Sequence, residues 1–360
     1  MKALIITNHS YMLWQFRREL IAELLKRSEV LISTPFVGHE NDFEEMGCRV
    51  IETRFNRRSI NPFSDLRLVC YYYRLMKKEC PDFVITYSIK PNIYAGFVCR
   101  ILRIPYYTNV QGLGTMFQNR LTAIVASILY RAGIKKASKV FFENSANADE
   151  FIRRKIVSPE NVVLLSGAGV NLSVFKQQPY PDEDNGIRFL YLGRIMKEKG
   201  MDEFFSAARS LKGKYGNGVY FDVVGFFEDE YKETVVTLVK EGIICFHGFQ
   251  SDPCPWYIQS HCVVLPSYHE GMSNVLLEGG ATGRPLITSD IPGCREAVVD
   301  GISGFLCRKM DAISLEECMC RFMSMTEDER REMGRQSRVK IEDDFDRRQT
   351  VEKIMDIIFD

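Results

Sequence analysis

Short apolar runs alternate with longer amphipathic stretches along almost the whole chain. The first run, Lys2-Ala3-Leu4-Ile5-Ile6-Thr7, has the length of a strand. The next stretch puts Leu13, Phe16, Leu20, Ile21, Leu24 and Leu25 on one helical face and Arg17, Arg18, Glu23 and Lys26 on the other. The alternation repeats, and it predicts further strands at 30–33, 49–53, 83–86, 106–109, 140–143 and 162–165, with helices between most of them. Residues 176–186 are polar, acidic and proline-bearing without periodicity, and they read as a linker. The pattern restarts at Ile187–Leu192, with strands at 220–224, 243–246, 262–265 and 285–288. Three charged helical segments close the chain, the last at Arg347–Phe359. Strands alternating with helices of this length imply parallel sheets covered on both faces. The expectation is an α/β protein of two Rossmann-like, doubly wound domains, 1–180 and 181–344, facing across a cleft. Ligands in such folds sit at the carboxyl ends of the strands, so the loops there carry the chemistry.

Composition narrows the function. At 360 residues, two domains are the natural division. The 47 Lys and Arg cancel the 47 Asp and Glu, so no global field draws the protein to nucleic acid and any anion site is local. The eleven cysteines never form C-x-x-C, and the N-terminus carries no export pattern. They read as reduced thiols of a cytoplasmic protein. Cys245, His247, Cys254, His261, Cys262 and His269 fit no zinc spacing, and packing is the plainer reading. No apolar run reaches the ~18 residues of a membrane span.

The sharpest chemical signal follows the buried run Val263-Val264-Leu265. In Pro266-Ser-Tyr-His-Glu-Gly-Met-Ser-Asn-Val-Leu-Leu-Glu278-Gly-Gly280, Ser273 reads as the N-cap of a helix over 274–283. A helix N-terminus at a strand's carboxyl end is a ready diphosphate site. Glu270 lies in the loop before it and Glu278 inside it, where carboxylates can accept paired hydrogen bonds from the diol of a ribose or a sugar ring. A solvated loop acid and a packing acid are the plain alternatives. The second signal is Gly193-Arg194-Ile-Met-Lys-Glu-Lys199-Gly200, where two cations just beyond a strand end can hold a diphosphate leaving group. Ordinary surface charges are the alternative there.

Taken together, these stretches resemble the large family of retaining glycosyltransferases with the two-domain GT-B fold, family 4 in the usual classification. Glu270 and Glu278 match its Glu-x7-Glu motif. Gly193, Arg194, Lys199 and Gly200 match its Gly-Arg…Lys-Gly loop, and Ser289–Gly293 through Glu296 and residues 300–306 resemble its last motif. The resemblance implies that Arg194 and Lys199 bind the donor diphosphate and that Glu278 binds the ribose hydroxyls. It places Glu270 against the donor sugar and the amides of Gly271, Met272, Ser273 and Asn274 along sugar and phosphate. It also implies that a C-terminal helix, 345–360, crosses back to the N-terminal domain.

In the N-terminal half, Thr86–Gly96 and Asn109–Phe117 are similar to the branch that builds bacterial surface polysaccharides and lipid-linked oligosaccharides. Members of that branch add a hexose or N-acetylhexosamine to a sugar on a polyprenyl diphosphate, with uracil as the habitual base. Two features depart from the family pattern. The first strand leads into Thr7-Asn8-His9-Ser10-Tyr11 where many relatives have a glycine-rich turn, and Val110-Gln111-Gly112 carries glutamine where many have a histidine. Gln111 cannot act as a base, and in this family the leaving diphosphate can take the acceptor proton itself.

The acceptor's diphosphate is assigned to Arg54, Arg57, Arg58 and Lys90, with Asn8 and His9 beside them; a solvated basic loop is the alternative. The apolar helix 121–134, followed by Lys135, Lys136 and Lys139, suits docking on an anionic membrane surface, and an ordinary core helix is its alternative. No cofactor is expected beyond the nucleotide sugar substrate. No Asp-x-Asp stands in a loop of the kind metal-dependent transferases use, and Arg194 with Lys199 can neutralise the diphosphate. A glycoside hydrolase using the two glutamates and a non-catalytic nucleotide-sugar subunit are the competing functions. A dinucleotide oxidoreductase is disfavoured because neither first strand leads into G-x-G-x-x-G.

Overall fold

A computed structural model describes residues 1–53, 62–113, 117 and 119–360. The chain divides into two units, Met1–Ala168 with Gln349–Asp360, and Gly169–Arg348.

In the N-terminal unit the apolar runs become seven parallel strands: β1 (Lys2–Ile6), β2 (Glu29–Thr34), β3 (Arg49–Glu52), β4 (Phe83–Tyr87), β5 (Tyr106–Val110), β6 (Lys139–Phe142) and β7 (Val162–Leu164). Their order is β3-β2-β1-β4-β5-β6-β7. Ala3 pairs with Val30 on one side and Phe83 on the other, so β1 sits between strands wound in opposite directions. Apolar cores cover both faces. One holds Leu4, Leu31, Val84 and Tyr130, the other Ile5, Ile32, Leu24 and Ile85. Val351, Ile354, Met355 and Ile358 of the last helix, Arg347–Phe359, belong to the second core.

The Gly169–Arg348 unit repeats the scheme with β8 (Ile187–Leu192), β9 (Val219–Val224), β10 (Cys245–Phe246), β11 (Cys262–Leu265), β12 (Leu286–Ser289) and β13 (Gly304–Cys307), in the order β10-β9-β8-β11-β12-β13. The strand at 304–307 was not expected, because its Gly-Phe-Leu-Cys run is short and opens on glycine. That glycine is required: a Cβ at 304 would lie 1.9 Å from the carbonyl oxygen of Leu286 on β12. The run expected at 243–246 pairs over Cys245–Phe246 only.

Two further expectations are corrected. The presumed linker is built into the second unit. Arg284, wholly buried, donates to the carbonyls of Tyr257 and Pro179, and Arg330 grips Glu183 through Nε at 2.7 Å. Side-chain bonds to an aperiodic backbone leave no trace in hydrophobic periodicity. Arg17, placed on the solvent face of the first helix, Ser10–Leu25, is instead buried.

Candidate functional site

Each sheet reverses its winding beside its first strand, between β1 and β4 and between β8 and β11. Such switch points open a crevice at the strands' carboxyl ends. At the second, β8 runs into Gly193, whose φ of +150° suits glycine. Its N–H donates to the Val224 carbonyl at 2.9 Å, and a Cβ at Gly225 would lie 1.8 Å from the Gly193 oxygen. The Tyr191 hydroxyl fixes the Arg194 carbonyl at 2.7 Å. The Arg194 guanidinium is about half exposed and reaches Glu228 at 3.2 Å.

The β8 loop is clamped to the β11 loop. Gly200 has φ +73°, and a Cβ there would stand 2.0 Å from the Pro266 carbonyl oxygen. The Tyr268 amide donates to the Glu198 carbonyl at 2.8 Å. This approach brings the Lys199 ammonium to within 2.5 Å of Glu270, whose same oxygen accepts from the Ser267 hydroxyl at 2.8 Å. Both side chains of the pair keep some exposure, 16% and 12%.

Beyond Glu270 the helix Asn274–Ala281 starts as expected, with Ser273 as N-cap accepting from the Leu276 amide. The loop 289–293 braces the cap. The Ser273 amide donates to the Gly293 carbonyl at 2.9 Å, so this amide is already committed within the protein. Gly293 approaches so closely that a Cβ would meet the Gly271 oxygen at 2.4 Å, and its own N–H donates to Glu296. Met272 and Ser273 are buried, and Gly271 and Asn274 are half-buried.

Glu278 is buried and accepts from the Tyr257 hydroxyl at 2.9 Å. Burial pushes its carboxyl up to about 7, against the opposing pull of the Tyr257 hydrogen bond and the Arg347 charge. Near neutral pH it is poised between a neutral acid and a carboxylate that can accept two hydroxyl hydrogen bonds. Among the described residues no three His, Cys, Asp or Glu side chains gather as cation ligands. His247 pairs with Asp222 at 2.8 Å against the Trp256 ring, and His261 Nδ1 accepts from the Arg188 amide.

The first switch point is different. Asn8, after β1, accepts from the Ser88 hydroxyl beyond β4 at 2.7 Å, which joins the two strand ends. His9 starts the first helix, edge-on to Tyr11. The Lys90 ammonium lies 2.7 Å from Asp65, which also takes the Tyr94 hydroxyl. Gln111 is exposed and Gly112 half-buried after β5. Arg54, Arg57 and Arg58 lie outside the described residues.

Two groups escaped the sequence reading. Tyr257 carries no motif signal. Arg17 pairs with Glu143, beyond β6, at 3.0 Å and lies over the Tyr87 ring. Its spacing from Leu13, Ile21 and Leu24 could have placed it on the buried face.

Known proteins resemble this chain over both of its units. Residues 3–144 match the glycosyl transferase 4-like family model, and residues 186–325 match glycosyl transferases group 1. The chain is 27% identical over 323 residues to N,N'-diacetylbacillosaminyl-diphospho-undecaprenol alpha-1,3-N-acetylgalactosaminyltransferase of Campylobacter jejuni, covering 85% of each. It is 26% identical to the Escherichia coli UDP-Gal:alpha-D-GlcNAc-diphosphoundecaprenol alpha-1,3-galactosyltransferase, over 84% of this chain and 81% of that one. Among solved structures it resembles Anabaena HepE in complex with UDP-glucose, with a TM-score of 0.81, 17% identity and 99% of both chains covered. The chain therefore belongs to the GT-B glycosyltransferases, with a glycosyl transferase 4-like N-terminal half and a group 1 C-terminal half.

Proposed function

We propose that the protein moves a hexose or N-acetylhexosamine from a UDP-sugar to a saccharide carried on a polyprenyl diphosphate, with retention of anomeric configuration. The observation that carries this reading is the clamp of the β8 and β11 loops, which sets Lys199 against Glu270 at a switch point. In the proposed complex Lys199 and Arg194 take the donor diphosphate. Gly193, Gly271, Met272 and Asn274 line it, and Ser273 holds the helix start. Glu278 takes the ribose diol and Glu270 meets the donor sugar. The leaving charge is neutralised by the two cations, so no metal is required. Gln111 and Gly112 are assigned to the donor sugar by the family resemblance. The acceptor diphosphate goes to Arg54, Arg57, Arg58 and Lys90, with Asn8 and His9 beside it.

The relatives' undecaprenyl-linked acceptors support a reaction on the cytoplasmic face of a membrane, with the protein peripheral to it. The direct test incubates the protein with UDP-hexoses and UDP-N-acetylhexosamines and a polyprenyl-diphosphate saccharide. Product mass and the anomeric proton coupling are then read, with and without EDTA. Transfer with retention that survives EDTA is expected. Donor binding without transfer to any acceptor would instead favour a non-catalytic subunit.

A further inference from the structure

The helix Arg120–Ile134 is apolar on two faces, and only one of them is packed. Ala123, Ala126, Ser127, Tyr130 and Ile134 are buried. The packed face uses small residues to come close: a Cβ at Gly133 would meet the Ile93 carbonyl oxygen at 2.6 Å. The opposite face carries the larger aliphatics, Leu121 at 75% exposed, Ile124 at 49%, Val125 at 52% and Ile128 at 58%. Their i, i+3, i+4, i+7 spacing makes one continuous stripe. A helix whose outer face met only water would carry polar side chains there.

Charge identifies what meets the stripe. Residues 83–142 contain eight Lys and Arg and no Asp or Glu, in a chain whose charges cancel over its full length. At the C-terminal end of the stripe Lys135 and Lys136 are exposed. Arg131 is anchored on the Arg154 and Lys155 carbonyls, and Arg100 donates to the Ala132 carbonyl from the neighbouring helix, Gly96–Leu102. An aliphatic stripe ending in a basic rim is complementary to the acyl–headgroup boundary of an anionic bilayer. No described helix is long and apolar enough to cross a membrane.

We infer that the outer face of the Arg120–Ile134 helix lies in the plane of an anionic phospholipid surface. Leu121, Ile124, Val125 and Ile128 insert, and Arg131, Lys135 and Lys136 contact headgroups. The inference names the docking element of the membrane-bound acceptor reading and rests on it. Lipid-embedded acceptor would then be met by a protein already held at the interface.

Flotation of the full chain with vesicles of phosphatidylglycerol and phosphatidylcholine tests it, alongside transfer to a water-soluble, short-prenyl acceptor. Leu121→Gln/Ile128→Gln removes two inserting groups and keeps a helix former; vesicle binding falls at least tenfold while soluble-acceptor transfer is unchanged. Lys135→Gln/Lys136→Gln weakens binding roughly thirtyfold on phosphatidylglycerol, at about 1 kcal/mol per cation, and not on phosphatidylcholine. Unaltered vesicle binding by the Gln pair would overturn the inference. So would a dimer in light scattering that the pair dissolves, since the face would then belong to a second copy. Absence of transfer to any acceptor would sink the functional reading alone, because flotation decides the docking face by itself.

Discussion

The two switch points share a strand order and handle their charges in opposite ways. In the C-terminal unit the groups come from two short stretches, 193–200 and 266–278. Glycines at 200 and 225 let the backbones close to carbonyl contact, and Gly193 supplies a φ of +150°. Lys199 and Glu270 meet there as partners from two strand-end loops and stay partly exposed. In the N-terminal unit Arg17, 5% exposed, is closed off within the protein by Glu143 from 126 residues away, whereas Lys90, paired with Asp65 of a flanking helix, keeps 14% exposure, about that of Lys199. One sheet topology thus carries, in one unit, a cation pair that keeps some exposure and, in the other, an arginine, Arg17, buried as a strut.

The largest effect expected from this contrast is catalytic. Lys199→Ala should lower kcat/KM by about 10³-fold, the loss typical when one fixed charge at a developing oxyanion is removed. Lys90→Ala should leave donor KM unchanged and raise acceptor KM, because the role proposed for its ammonium is at the acceptor's diphosphate. Steady-state kinetics with varied donor checks both, and equal donor losses would erase the distinction between the two units.

The second effect is structural. Glu143→Ala strips the partner from a buried guanidinium and should cost roughly 3–5 kcal/mol in denaturant unfolding. Glu270→Ala leaves the more exposed Lys199 and should cost less than half of that. The reverse order would mean that the C-terminal pair, not the N-terminal one, is the strut.

Glu278 gives a third effect, and its sign follows from burial. Its folded value of about 7 lies above the ordinary 4.5, so the folded state holds a proton that the unfolded chain has lost between those pH values. Stability is therefore undiminished below 4.5 and falls as pH rises toward 7, by about 3 kcal/mol in total. Glu278→Gln should match the parent near pH 4.5 and exceed it by up to that amount above pH 7 in the ligand-free protein. It should also lose nucleotide affinity. In the parent, affinity should drop as pH falls below 7, because a diol donates paired, charge-assisted hydrogen bonds to the carboxylate and only weaker, neutral ones to the acid. A pH-independent difference in melting temperature would remove Glu278 from the role proposed for it.

Much of the C-terminal site was legible because its chemistry is contiguous. Strand, glycine, cation and capped helix follow one another, and the spacing from Glu270 to Glu278 survives folding as a loop position and a helix position. What periodicity could not show were bonds made by side chains to distant or aperiodic backbone. Arg284 and Arg330 fasten residues 179–183 to the second unit, so an apparent linker is part of its wall. Tyr257 reaches Glu278 from a short helix, Cys254–Gln259, with no motif of its own. Arg17 was missed for a different reason: a charged residue on a helix defaults to solvent, although its spacing from Leu13, Ile21 and Leu24 sets it on the buried face, where Glu143 pairs with it. The strands themselves were legible nearly throughout, since parallel strands covered on both faces must be continuously apolar.

The smallest effect concerns Arg194, which stands between the two modes. Its guanidinium is about half exposed and rests on Glu228, so the free enzyme already offers it a carboxylate. A donor diphosphate would have to take the arginine from that partner, and the net gain is the difference between two charge-assisted contacts in a wet setting. Arg194→Ala should therefore cost only about tenfold in kcat/KM, roughly 1.4 kcal/mol, and the cost should shrink as salt is raised. Glu228→Gln should act in the opposite direction, tightening nucleotide binding two- to threefold by releasing the guanidinium. Calorimetric titration of UDP against both variants separates the cases. If Glu228→Gln weakens UDP, the pair is positioning Arg194 for the ligand, and the C-terminal unit too uses one of its cations as a strut.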